Sequence, residues 1–238
     1  MLYLKYLVGW LQYMYGTVQL GEHNNMKNPI NNLIWEKYPN GTITQWFGEN
    51  PALYSYMEMI GHNGIDIVAP YGTPIYAVSD QKIVTVKNDS GGYGRHIKAV
   101  GQNREYAYGH LSKIDVVLGQ EVKEGDKIGE MGNSGFVVSG ATPFWEYNPY
   151  AGTHLHFGIR ELGEWYSGCQ GIFYPTGDKF EMKNYNNGYK GSIDPRPFFT
   201  EILKDEEQIK ALQMTVISLA KQVISLYQQL ISNRIDKQ

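Results

Sequence analysis

The chain has 238 residues, enough to bury a sizeable core in one domain with appendages rather than in two full domains. A formal net charge of -3 and a pI near 6.1 give no electrostatic basis for holding nucleic acid or an anionic membrane surface. The single cysteine, Cys169, excludes an internal disulfide framework and a thiolate zinc cluster, so any metal must be held by histidine and carboxylate.

In chain order, Met1 to Gly21 is apolar but interrupted by Lys5 and Gln12, which makes it too short and broken for a transmembrane span. Leu4, Leu7, Val8, Leu11, Tyr15 and Val18 follow helical spacing and predict a short amphipathic helix. A secretory signal is the competing reading, with a single lysine as its basic region and no A-x-A site. Residues 22–41, rich in Asn and punctuated by Pro29 and Pro39, read as linker and turns. From Thr42 onward short strands are predicted at 43–47, 64–68, 74–79, 82–87, 96–100, 105–109 and 128–131. No helix-length periodic segment interrupts them, so residues 42–199 are expected to form a mainly β, antiparallel domain.

Three segments of that domain carry polar chemistry. In Gly61-His62-Asn63-Gly64-Ile65-Asp66-Ile67, a straight strand would hold His62 and Asp66 about 13 Å apart. The Asn63-Gly64 turn dipeptide offers a bend that brings the imidazole back over the carboxylate; an exposed histidine beside a capping aspartate is the alternative. In Tyr106-Ala107-Tyr108-Gly109-His110, a histidine ends a strand, a position common for functional groups. In Thr153-His154-Leu155-His156-Phe157-Gly158-Ile159, alternation puts His154 and His156 on one face and Leu155, Phe157 and Ile159 on the other. Imidazoles roughly 6–7 Å apart along a strand suit one metal ligand beside one proton-transfer group, or else a pair of surface histidines. His96, just after the Gly91-Gly92-Tyr93-Gly94 hairpin, is expected to face solvent.

The segments H-N-G-I-D (62–66), A-P-Y-G-T-P-I-Y-A (69–77), G-G-Y-G (91–94), Y-G-H-L-S (108–112), V-K-E-G-D-K-I-G-E-M-G-N-S-G (122–135) and T-H-L-H-F (153–157), in this order, resemble the lysostaphin/LytM-type zinc endopeptidases of peptidase family M23. The likeness spans about Thr42 to Phe199 and closes on Asp194-Pro195-Arg196-Pro197-Phe198-Phe199. It implies a LytM-like β fold with a substrate groove. His62, Asp66 and His156 would bind one Zn²⁺ with water in the fourth position, and His110 and His154 would be the catalytic pair. Three nitrogen and oxygen ligands with one open position is the usual catalytic arrangement. The implied activity is a zinc metalloendopeptidase acting on cell-wall peptidoglycan, secreted, held at the envelope or delivered by a phage particle as a lysin. A non-catalytic wall-binding or assembly module is the alternative, disfavoured because all five positions hold the expected residue types.

Two aromatic insertions depart from the family pattern, Phe136 to Gly152 and Trp165 to Tyr189. Long loops in compact domains are usually functional, so both are expected to wall the groove, with Tyr108, Trp145 and Tyr147 as candidate substrate-binding residues. Beyond Thr200 the texture becomes helical. Ile202, Ile209, Val216, Val223 and Leu230 recur every seven residues, with Leu212, Leu219 and Leu226 interleaved, which predicts a coiled-coil-like helix over 200–238 and either a homo-oligomer through it or, as the competing reading, packing on the N-terminal helix. Lys210, Gln213, Lys221 and Gln222 interrupt that stretch and exclude it as a membrane span.

Overall fold

The computed structural model describes residues 26–139, 142–143 and 150–199, together with Met214, Val216, Ile217, Leu219, Ala220 and Val223. The chain divides into two compact units, Asn24–Phe199 and a second made of Met1–His23 with Thr200–Gln238. The predicted N-terminal helix lies outside the described residues, and so do all but six positions of the heptad segment. Those six are helical, with Val216, Leu219 and Val223 exposed. Among the described residues no helix is long and apolar enough to cross a membrane.

Every pairing between the named strands of the main unit is antiparallel. Its strands are β1 (Ile43–Gln45), β2 (Ile65–Ile67), β3 (Pro74–Tyr76), β4 (Gln81–Asn88), β5 (Arg95–Gly101), β6 (Arg104–Gly109), β7 (Leu111–Ile114), β8 (Glu121–Val122), β9 (Lys127–Met131), β10 (Val138–Ser139), β11 (Thr142–Pro143), β12 (Leu155–Glu164), β13 (Gly171–Phe173), β14 (Lys179–Met182) and β15 (Ser192–Ile193). A four-residue helix, α1 (Pro51–Tyr54), and a 3₁₀ turn at Ser55–Met57 follow β1. The main sheet runs β1-β2-β12-β6-β5-β4-β8, and β3-β9-β7 forms a smaller second sheet. The glycine hairpin pairs Val86 with Ile97.

β12 is central, with β2 on one side and β6 on the other. Leu155, Phe157 and Ile159 are fully buried, as the alternation requires; each contributes about 1.5–3 kcal/mol on leaving water. Phe157 packs on Tyr108 and Phe199, so the closing segment seals the same core.

Two expectations need correction. Residues 26–41 are not a free linker: Met26, Ile30 and Leu33 are buried, and the Met26 N–H donates to the Phe198 carbonyl. Three apolar residues spaced through an Asn-rich run lack strand or helix periodicity, so their role as a lid on the core is invisible in the pattern. His96 does not face solvent; it is buried, with Nδ1 donating to the Gly94 carbonyl at 2.9 Å.

Candidate metal and catalytic site

Register brings the site together. His156 on β12 lies directly opposite Asp66 on β2 and opposite Gly109 on β6. Directly opposed residues have Cβ atoms only about 4.5–5.5 Å apart. His110, one residue past Gly109, therefore arrives on the other flank of the same strand. His62 reaches the cluster because the chain bends at Asn63-Gly64 before β2. Its backbone is held by two bonds, from its own N–H to the Glu49 carbonyl and from the Gly48 N–H to its carbonyl. Gly64 is required at the bend: a Cβ there would sit 2.5 Å from the Phe157 carbonyl oxygen and 2.7 Å from His156 Cε1.

Three donor atoms converge. His62 Nε2 is 3.0 Å from His156 Nδ1, and each is 3.2 Å from Asp66 Oδ1. Zinc bonds of about 2.0–2.1 Å in a tetrahedron give edges of roughly 3.3 Å, so this triangle matches one face of a zinc shell. His62 Nδ1 lies 3.2 Å from the Trp46 carbonyl. A carbonyl only accepts, so the proton sits on Nδ1 and Nε2 turns a lone pair into the cluster. Burial lowers His156 to about 4 despite its contact with Asp66, and a proton on His62 or His154 would push the same way. The neutral imidazole is the form that ligates metal. Burial alone would raise Asp66, but its close approach to the imidazoles of His62, His154 and His156 outweighs it and holds the carboxyl well below its ordinary value. Two imidazoles and one carboxylate, all buried, fit a zinc ion.

The other two histidines stand beside this triangle. Their rings are 4.6 Å apart, and His154 Nε2 is 3.8 Å from Asp66 Oδ1. Each donates through Nδ1 to a main-chain carbonyl at 2.8 Å, His110 to Ser134 and His154 to Gly152. In the neutral ring each therefore carries its lone pair on Nε2, free to take a proton. Burial, reinforced by His154 and His156, holds His110 well below its ordinary value. The two glycine turns explain its fixed position. Gly94 and Gly135 touch backbone to backbone, where a Cβ on Gly135 would lie 2.2 Å from the Gly94 nitrogen. That contact aligns the Tyr93 carbonyl with the His110 N–H and the Ser134 carbonyl with its ring. Tyr93 also stacks on His156, with centroids 4.8 Å apart, and its hydroxyl accepts from Asn63 Nδ2 at 2.8 Å.

All five predicted site residues thus meet, while the substrate-binding expectations fare differently. Tyr108 is fully buried, and its hydroxyl bonds to the Val78 N–H and Gln81; it faces the core and cannot touch substrate. Its register matches that of His110 on a regular strand, but His110 has φ +62, and this left-handed residue breaks the alternation. Trp145 and Tyr147 lie outside the described residues. A groove of about 1210 Å³ does run past the site. The described ends of the first insertion, Phe136 and Tyr150, line it. The second insertion instead forms β13 and β14 on the far end of β12, pairing Leu162 with Met182, so its expected role as a groove wall is withdrawn. The opposite wall comes from Leu53, Tyr54, Tyr56 and Met57, residues with no strand or motif pattern to mark them. Their clue is the pair Asn50-Pro51, which starts α1 and turns the chain over the site.

A sequence model described as Peptidase family M23 matches residues 60–167. The uncharacterized lipoprotein YgeR of Escherichia coli is 40% identical over 102 residues, 42% of this chain and 35% of that protein. The peptidoglycan DD-endopeptidase ShyA of Vibrio cholerae is 35% identical over 104 residues, 43% of this chain and 21% of that protein. Among solved structures, a mutant catalytic domain of the prophage-encoded M23 protein EnpA from Enterococcus faecalis is 30% identical, with 55% of this chain and 87% of that one covered and a TM-score of 0.40. The chain spans between 21% and 35% of the length of these two curated relatives.

Proposed function

We propose that the chain, whose residues 60–167 match the model of Peptidase family M23, is a zinc metalloendopeptidase that hydrolyses peptide bonds in peptidoglycan. The observation that carries this reading is the convergence of His62, Asp66 and His156 within 3.2 Å of one another, with His110 and His154 beside them. A set of ligands without a proton-transfer pair would suit a binding role; here both are complete.

When bound, zinc would act as a Lewis acid on the scissile carbonyl and acidify a water. The protein's own groups do the rest. His62 and His156 would hold the metal through ring nitrogens, and Asp66 supplies one negative charge against the metal's two. One of His110 and His154 takes a proton from the attacking water through Nε2, and the other steadies the carbonyl oxygen or hands a proton to the departing nitrogen. The C–N bond breaks, hydroxyl joins the carbonyl carbon and the proton leaves on the amine. The Ser134 and Gly152 carbonyls keep both rings aimed through each proton transfer.

The lipoprotein relative in Escherichia coli supports a site of action at the cell envelope. Digestion of purified walls of different cross-bridge chemistry by the zinc-loaded chain, with mass spectrometry of the released peptides, tests the reading. New amino termini at one bond type are expected; wall binding without any released peptide would leave the non-catalytic module instead.

A further inference from the structure

The groove beside the site is built from segments almost without cations. The sequence holds no Lys or Arg between Lys37 and Lys82, and none between Lys127 and Arg160. Among the described residues lining the groove only Arg160 and Lys190 are basic. Arg160 is committed to Glu105 at 2.7 Å, and Lys190 lies 3.8 Å from Glu58. Nearby Lys37 is held by Glu49 and by the Thr44 carbonyl, the latter at 2.8 Å. The walls are neutral, with Leu53, Tyr56 and Met57 facing the groove from one segment and Tyr71, Phe136 and Tyr150 from others. Three buried polar atoms of its lining have no hydrogen-bond partner: His156 Nε2, Arg160 Nε and, on the residue opposite Asp66 in register, Gln45 Nε2. The Gln45 amide is a neutral donor suited to a peptide carbonyl oxygen.

A carboxylate taken into such a groove would lose its hydration with no cation to replace it. The positive charge of a bound metal is partly cancelled by Asp66. We propose that the groove selects peptides with no carboxylate beside the scissile bond, meaning neutral cross-bridge residues or stem residues whose free carboxyl is capped as a carboxamide. This rests on the endopeptidase reading above.

The test uses the zinc-loaded full chain and two synthetic peptides that differ at one position, carrying a carboxamide or a carboxylate on the carbon attached to the scissile nitrogen. The carboxamide peptide is expected to show kcat/KM at least ~10-fold higher, and the ratio is expected to hold in Lys190→Ala. Equal rates, a preference for the carboxylate, or a preference in the native chain that depends on Lys190 would overturn the selection while leaving the endopeptidase intact. Failure to cut either peptide or any purified wall would remove the endopeptidase reading, and the selection with it.

Discussion

The two ends of β12 make opposite use of buried charge. At its start, His154 and His156 face groups that leave lone pairs turned inward, with three donor atoms crowded together and no protein cation among them. Four residues beyond His156, Arg160 lies opposite Glu105 on β6, and this carboxylate is shared by two cations, Arg160 and Lys98. Glu105 is 1% exposed and takes Arg160 at 2.7 Å, Lys98 at 3.4 Å and the hydroxyl of Tyr174. Tyr174 comes from the second insertion, so the closed cluster anchors that hairpin to the sheet. The lesson is that one strand separates a cluster of lone-pair donors, which could hold a metal, from a cluster of opposite charges, which ties the sheet together.

Variants at the two ends should therefore fail in different ways. The largest effect is expected for His156→Ala, which removes one of three donors: metal affinity should fall more than ~100-fold and wall digestion should vanish. Equilibrium dialysis followed by metal analysis checks this, and full zinc content in that variant would break the contrast. His110→Asn should keep its zinc and lose ~10²–10⁴-fold in turnover. Asparagine is the right replacement because it tolerates the left-handed backbone at φ +62.

At the closed end, Glu105→Gln should cost about 3–5 kcal/mol of stability, read by urea unfolding, because Arg160 and Lys98 would remain buried without their counter-charge. Acid should act on the same cluster. Burial raises the Glu105 carboxyl, but Lys98, Arg160 and the Tyr174 bond together bring it below its ordinary 4.5. A depressed carboxylate stabilises the fold above its unfolded value, so this contribution is present above about pH 4.5 and is lost as pH falls through the folded value. Glu105→Gln should flatten the acid limb of a stability profile. Tyr174→Phe should cost about 1–2 kcal/mol by removing a single donor to that carboxylate.

The smallest effect is expected from Trp165→Ala. Lys179 Nζ sits 3.7 Å over that ring, on the hairpin away from the groove. The loss should be about 0.5–1 kcal/mol, with wall digestion unchanged; a large drop in digestion would return the hairpin to the substrate path.

The sequence by itself determined the chemistry and its local geometry. Alternation placed Leu155 and Phe157 in the core and the two histidines opposite, the Asn63-Gly64 dipeptide called for the bend, and residue type limited any metal to histidine and carboxylate. These are short-range consequences of strand period, turn propensity and ligand chemistry. The family resemblance already implied His156 beside Asp66 and His154 beside His110, but the physical reason, the register of β12 against both β2 and β6, appears only in the tertiary structure. That structure also turned Tyr108 inward through the left-handed His110, buried Met26 and Ile30 from an Asn-rich run, and sent two similar aromatic insertions to opposite ends of one strand. Composition describes what a loop carries, but its place is set by the strand it leaves and the partner it pairs with.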